Sequence, residues 1–197
     1  MFRKSISAII IIVMLSSCMS RNIAKYYRQN QPLLDSIETT YKKGYNLHPF
    51  AIEYVDIEFR NISVEIFTDT MKFIYVFEPA ELRFTDTLIK YHLDPVTIKT
   101  LLSKMQLAKC TWINTLDYYV DRKKHTLVYM SIRPKFFHIP LTKKKYYILS
   151  YFSQPQYFDA EGRLLDRRRA RRVRKINDDV FRQINNKVAY TITDKFR

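Results

Sequence analysis

Residues 55–77 read VDIEFRNISVEIFTDTMKFIYVF, and the spacing of their apolar side chains indicates the fold class. In 55–60 apolar and charged residues alternate, which is typical of a strand with one buried and one exposed face. Two further runs, 62–66 and 71–77, alternate in the same way and are separated by the polar triplet Thr-Asp-Thr. Because short intervals between like strands favour antiparallel pairing, this stretch predicts an antiparallel sheet.

The second half of the chain contains further segments that predict strands. They are 111–120, 126–133, 145–152 and 188–192. A short strand is also expected near 82–84, and residues 157–165, centred on Ala-Glu-Gly, predict a small hairpin or a loop. Together these segments predict a sheet of about six to eight strands.

Three segments have apolar residues at helical spacing. The first has a proline in its first turn and predicts a helix over about 31–43. Asp94 and Pro95 supply an N-cap and a first-turn proline for a second helix, which we expect to end near Lys109. A third helix is expected after Asp166. The predicted fold is therefore α+β, a mostly antiparallel sheet with two or three packing helices.

The amino terminus has the three-part layout of a secretory signal. Arg3 and Lys4 are followed by an apolar run, 6–15, and then by small residues that lead to Cys18. Between Lys4 and Arg21 there are 16 uncharged residues. As a helix these would reach roughly 24 Å, which is short of the roughly 30 Å hydrocarbon core of a bilayer. The sequence therefore favours a cleaved signal over a membrane-spanning anchor.

The tetrapeptide Leu-Ser-Ser-Cys at 15–18 resembles the lipobox of bacterial lipoprotein signal peptides. The resemblance covers residues 1–18 only, and no family is recognised for the rest of the chain. It implies that residues 1–17 are removed and that the Cys18 sulfur takes a diacylglyceryl group, with further acylation of the new amino terminus. The alternative is an ordinary secretory signal that happens to contain a cysteine.

The residue after Cys18 bears on the location. In Gram-negative lipoproteins an aspartate there retains the protein at the inner membrane, and this chain has Met19. The resemblance thus implies a cell-envelope protein, on the outer membrane and facing the periplasm if the organism has two membranes. We expect a lipidated amino terminus and tether over 18–30. The cations of the tether attract anionic lipid, or the tether is simply a solvated linker. A single α+β domain is expected over 31–197.

The net charge of +15 is unevenly distributed along the chain. Residues 19–98 contain nine Lys or Arg against eleven Asp or Glu, whereas residues 99–197 contain 23 against eight. Such a field attracts anions, whether lipid headgroups, charged glycans, nucleic acids or acidic proteins. A membrane anchor in the envelope disfavours nucleic acid as the partner.

The candidate anion-binding site is a cluster of cations at the start of the third predicted helix. Its members are Arg167, Arg168, Arg169, Arg171, Arg172, Arg174 and Lys175. Cations at this end oppose the helix dipole, so a bound phosphate or carboxylate would offset an unfavourable arrangement. Lys143–Lys145 and Arg122–Lys124 would extend the surface if they lie on the same side. The alternative is a solvated surface whose cations are balanced by acids elsewhere.

Catalytic signatures are not found in the sequence. With only Gly44 and Gly162, the chain cannot form a glycine-rich phosphate loop or a Gly-x-Ser-x-Gly elbow. His92 and Asp94 have the spacing of two metal ligands on one strand face, but the capping role of Asp94 competes with that interpretation. We therefore expect neither a metal nor a cofactor. Cys110, among apolar neighbours, is expected to be a buried thiol.

These observations predict a lipid-anchored, non-catalytic protein of the cell envelope, a binding or structural module held at the membrane. Its basic C-terminal half would be directed at an anionic glycan, lipid headgroup or acidic protein. One alternative is an envelope enzyme acting on glycan or lipid through a site assembled from distant residues. A second is a cytoplasmic nucleic-acid-binding protein, if the signal has been misread.

Overall fold

The computed structural model describes residues 25–56, 58–120, 123–133, 145–167 and 172–194. The helices in these ranges are α1 (25–45), α2 (Leu82–Lys90) and α3 (Pro95–Leu107). The first strands are β1 (Phe50–Tyr54), β2 (Ile62–Phe67), β3 (Lys72–Phe77), β4 (Cys110–Val120), β5 (Lys123–Ile132) and β6 (Tyr146–Phe152). The remaining strands are β7 (Lys175–Ile176), β8 (Asp179–Val180), β9 (Arg182–Gln183) and β10 (Val188–Thr193).

Eight of these strands form one sheet in the order β3-β2-β1-β4-β5-β6-β10-β9, and every neighbouring pair is antiparallel. Strands β7 and β8 form a separate pair. The longest pairing joins β4 to β5 and runs from Cys110 opposite Ile132 to Val120 opposite Lys123. The predicted α+β class, with a mostly antiparallel sheet and three helices, is confirmed.

The two faces of the sheet are covered differently. On one face, buried side chains of the helices and strands form a hydrophobic cluster that includes Leu34 and Ile37 of α1. On the other face, Tyr129 and Ile148 of the central strands cluster with Leu164 and Phe181, which belong to the C-terminal segment. The alternation of strand side chains between the faces explains how both clusters use the same strands. Helices thus cover one face of the sheet, and irregular chain covers the central strands on the other face, whereas Ile74 and Val76 of β3 remain exposed.

Helix α1 is longer than the sequence predicted. Residues 25–30, which we assigned to the tether, are helical. The Tyr26 hydroxyl donates to the carbonyl oxygen of Ala108 at 2.6 Å, and the Tyr26 ring meets the Tyr147 ring edge-on at 6.2 Å. Tyr27 is buried and continues the apolar stripe seven residues before Leu34. Burial of these two tyrosines stabilises the additional turns.

The strand predicted over 55–60 is wrong, because the strand ends at Tyr54 and a turn follows. The Asp56 carboxylate accepts hydrogen bonds from the backbone N–H groups of Arg60 at 3.0 Å and Asn61 at 2.5 Å. Phe59 has a positive φ of 61°, which ends the extended conformation. The alternation in the sequence was therefore overridden by a carboxylate that closes a turn.

Two further predictions are corrected. Residues 82–84 begin α2 and are not a strand; Phe84 and Leu88 of this helix are buried. The helix predicted after Asp166 is absent from the described residues there, which instead contain β7 and β8. Asn177 and Asp178 both have positive φ, at 51° and 66°, and form the two-residue turn between these strands. Asn and Asp adopt this conformation more readily than other non-glycine residues, and two of them in succession suit a hairpin turn.

Several predicted elements are confirmed with small shifts at their ends: the strands at 62–66, 71–77, 111–120, 126–133, 145–152 and 188–192. Phe158 and Leu164 form an isolated antiparallel bridge, as expected of the predicted small hairpin. Asp94 caps α3, accepting from the backbone N–H groups of Val96 at 3.2 Å and Thr97 at 3.0 Å. The cap and Pro95 fix the start of α3 as predicted.

Two buried tyrosines provide a matched test of this core. The Tyr41 hydroxyl donates to the carbonyl oxygen of Phe50 at 2.6 Å, whereas the buried Tyr147 hydroxyl has no hydrogen-bond partner in the part of the chain described here. We expect Tyr41→Phe to lower the free energy of unfolding by about 1–2 kcal/mol, because it removes a satisfied buried hydrogen bond. Tyr147→Phe should be neutral or stabilising, because it removes an unsatisfied polar atom. Chemical denaturation of both variants measures this, and equal losses would contradict it.

Candidate functional site

The basic C-terminal half of the chain is distributed over two opposite ends of the sheet. We call the end where Val120 pairs with Lys123 the hairpin end. The other end, where Lys109 and Arg133 flank the β4–β5 pairing near the start of α1, is the helix-start end. Ten residues of β4 separate the two ends, which corresponds to about 30 Å.

Arg174 fixes the predicted cation cluster to the hairpin end. Its guanidinium carbon lies 5.0 Å from the centroid of the Tyr118 ring, and its Nη2 donates to the carbonyl oxygen of Tyr119 at 3.4 Å. Its Nη1 donates to Oε1 of Gln156 at 3.5 Å. Burial lowers the pKa of Arg174 below its ordinary value, although a guanidinium stays charged at neutral pH. Arg174 therefore joins the C-terminal segment to β4 and is a structural residue.

The other described members of the cluster are exposed. Arg172 has 87% of its side chain exposed and lies 3.7 Å from the carboxylate of Asp166. Arg167 and Lys175 are exposed, and in the described residues neither forms an ion pair. The backbone N–H of Asp166 donates to the carbonyl oxygen of Arg172 at 3.2 Å, which holds 166–167 beside 172–174. Arg168, Arg169 and Arg171 lie outside the described residues.

The cations of the β4–β5 turn lie beside this cluster. Lys123 and Lys124 begin β5 next to Tyr119, whose backbone Arg174 contacts. Lys124 is 2.9 Å from Asp117, and this hydrogen bond raises the pKa of Lys124. Tyr119 is 64% exposed. The structure thus brings together two basic stretches that are about 50 residues apart in sequence.

Lys145 does not extend this surface, because it precedes β6 at the helix-start end. Lys143, Lys144 and Arg122 lie outside the described residues. The helix-dipole argument also fails, since the residues described on either side of the cluster, 166–167 and 172–175, are not helical. What remains at the hairpin end is a surface of exposed cations, in which Arg172 and Lys124 each have a carboxylate neighbour.

A second basic group, at the helix-start end, was not predicted. Lys25, Lys109, Arg133 and Lys145 come from four separate segments. The backbone N–H of Arg133 donates to the carbonyl oxygen of Lys109 at 2.8 Å, and the Arg133 guanidinium lies 6.0 Å from the centroid of the Tyr146 ring. Such sequence separations leave no local signal, so only the strand pairing reveals the group.

The pocket most relevant to an enzyme is lined by residues of α1, α3 and the turn before α3. The open space here is about 350 Å³, including solvent at the mouth, and the lining includes Lys43, Leu47, His92, Asp94 and Ile98. The Asp94 carboxylate is committed to the α3 cap, where hydrogen bonds from Thr97 lower its pKa. In the described ranges no three His, Cys, Asp or Glu side chains lie together as metal ligands. Asp94, the acidic residue of this pocket, therefore has a structural role as the cap of α3.

Cys110 is fully buried, as predicted, and its Sγ lies 3.4 Å from the carbonyl oxygen of Trp112. Burial raises the pKa of the Cys110 thiol to about 12. The thiolate required of a nucleophile is therefore disfavoured at this position.

Comparisons with protein-family models, with curated proteins and with solved structures give no match for this chain. None of the helices in the described ranges is both long enough and apolar enough to cross a membrane.

Arg174 and Arg172 provide a test of the two kinds of arginine in the cluster. We expect Arg174→Ala to lower the free energy of unfolding by about 1–2 kcal/mol, because it removes the Tyr118 ring contact and the hydrogen bonds to Tyr119 and Gln156. Arg172→Ala should change it by less than about 0.5 kcal/mol, because the side chain is exposed. Thermal and chemical denaturation of the two variants check the difference. A larger loss for Arg172→Ala would show that Arg174 does not anchor the segment.

Proposed function

We propose that this protein is a lipid-anchored, non-catalytic binding module of the cell envelope. In this proposal the acylated Cys18 holds it to the membrane, and the exposed cations of the hairpin end bind an anionic envelope glycan. The observation that carries the proposal is that the contacts of Arg174 bring the described part of the cation cluster, Arg167 and 172–175, to the same end of the sheet as Lys123 and Lys124.

The course of α1 supports an outward position for the hairpin end. The helix starts with Tyr26 hydrogen-bonded to Ala108 at the helix-start end. Near its other end, the charge of Asp117, on β4, contributes to the raised pKa of Tyr45, after the larger effect of burial. Cys18 precedes the start of α1 by seven residues. An anchor at Cys18 would therefore hold the helix-start end near the bilayer and leave the hairpin end about 30 Å farther away.

The composition of the hairpin end favours a charged glycan. Exposed guanidinium groups pair with carboxylate or phosphate in bidentate geometry, and lysines add less directional attraction. Tyr119 and Tyr157 are 64% and 42% exposed, and aromatic rings of this kind pack against the apolar faces of sugars. The distance from the anchored end disfavours the protein's own bilayer as the partner of this surface.

The anchor is tested by Cys18→Ser in cells that express the full chain. We expect the variant to lose the acyl groups, to leave the signal uncleaved and to change its membrane fractionation. Intact-mass measurement detects the acyl groups and the cleavage, and cell fractionation detects the location. A Cys110→Ser variant is the control and should mature normally. Unchanged maturation of Cys18→Ser would overturn the proposed anchor.

The glycan surface is tested by neutralising four exposed cations of the hairpin end, Lys123, Arg167, Arg172 and Lys175, to Gln. We expect about tenfold weaker binding to polygalacturonate, a carboxylated glycan, and a weaker salt dependence, because four ionic contacts are removed. The matched control neutralises Lys43, Arg60, Arg83 and Lys99, which lie elsewhere, and should bind normally. Calorimetry at two salt concentrations measures both. Equal weakening would indicate net charge alone, and binding to polyglutamate in place of the glycan would indicate an acidic protein as the partner.

A further inference from the structure

We infer that the helix-start end is a membrane-facing surface, on which Lys25, Lys109, Arg133 and Lys145 bind the headgroups of anionic lipids. This inference rests on the proposed acylation of Cys18. It adds a second binding surface and an orientation: the acyl chains enter the same leaflet whose headgroups the four cations contact.

Contacts in the structure join these cations into one surface. Tyr26, next to Lys25, donates its hydroxyl to the carbonyl oxygen of Ala108, next to Lys109. The carbonyl oxygen of Lys109 accepts from the Arg133 backbone N–H at 2.8 Å. Strand pairing then places Ile132 opposite Tyr147, and the Arg133 guanidinium contacts the ring of Tyr146, the residue next to Lys145. These contacts form a continuous series from the start of α1 to the start of β6.

The described residues contain no carboxylate paired with any of these four cations. In the described part of the chain none of them forms an ion pair, whereas Lys42, Lys72, Lys124 and Arg163, which lie elsewhere, do. The Lys109 ammonium lies 5.1 Å from the centroid of the Phe59 ring, a contact that leaves its charge in place.

Acidic residues also occur near this end. Asp194 follows Thr193, which pairs with Tyr146 next to Lys145. Asp56 and Glu58 belong to the turn after β1, where the Asp56 carboxylate accepts backbone hydrogen bonds and Glu58 lies 3.8 Å from Arg60. In the described residues none of these acids forms an ion pair with Lys25, Lys109, Arg133 or Lys145.

The length of the chain before α1 keeps this surface close to the bilayer. Six residues lie between Cys18 and Lys25, so the two are at most about 25 Å apart in any conformation. The tether therefore allows the helix-start end to contact the bilayer and limits how far it can move away. Because electrostatic attraction to a bilayer falls off within about 8–10 Å, the cations nearest the anchor are the ones that anionic headgroups attract.

The test uses the acylated protein, purified in detergent from cells expressing the full chain and returned to vesicles. A fluorescent label is attached at Gln29→Cys, near the start of α1, or at Asn186→Cys, near the hairpin end; both positions are exposed. The vesicles contain either about one third phosphatidylglycerol or phosphatidylcholine alone, with a quencher on a minor lipid. Intact mass and flotation with the vesicles report the anchor separately.

On phosphatidylglycerol vesicles we expect the label at 29 to be quenched about threefold more than the label at 186, and the difference to shrink on phosphatidylcholine. Reversing three cations, K109E, R133E and K145E, should abolish the difference. The matched reversal at the hairpin end, K123E, R167E and K175E, should leave it unchanged. Circular dichroism shows whether each variant is folded, and the comparison of lipids in the wild-type background does not depend on the variants.

The outcomes separate the two proposals. An acylated protein that floats with vesicles but shows equal quenching at both positions, or the same quenching on both lipids, overturns the membrane-facing surface and leaves the anchor intact. Loss of the difference in both triple variants would assign it to net charge and likewise overturn the surface. A protein without acyl mass overturns the anchor and, with it, this inference.

Discussion

The pairing of β4 with β5 is the constraint on which the other features depend. It runs from Cys110 opposite Ile132 to Val120 opposite Lys123 and joins the strands before residue 80 to those after residue 145. It also separates the two basic surfaces, because its length sets the distance of about 30 Å between the ends of the sheet. The same strands carry both hydrophobic clusters, so the pairing holds the core and the charges in one frame.

The excess positive charge of the C-terminal half consists of groups with different environments. Arg174 is used within the fold, since its guanidinium packs on Tyr118 and donates to β4. Lys124 and Arg172 each have a carboxylate neighbour. Exposed cations such as Lys175 and Lys145 lie at opposite ends and would act on different partners. The net charge of +15 therefore gives a poor picture of the electrostatics, which depend on where the strands end.

Local patterns predicted most of the fold, and long-range packing decided the rest. Alternation identified β2 and β3, and Asp94 with Pro95 identified α3, because these signals lie within a few residues. The predicted C-terminal helix failed because burial of Phe181 and the turn at 177–178 outweighed its apolar spacing. Of the candidate site, the sequence identified the cations but not their grouping. The adjacent Tyr26 and Tyr27 could have indicated from the sequence that α1 begins before residue 31.

The burial of Cys110 has a consequence for the protein's response to oxidants. A thiol with no exposed surface and a pKa raised to about 12 has almost no thiolate with which to attack a disulfide or a peroxide. The folded chain is thus protected from covalent cross-linking through this residue in an oxidising compartment. A disulfide-linked dimer through Cys110 would therefore show that β4 had unfolded before the bond formed.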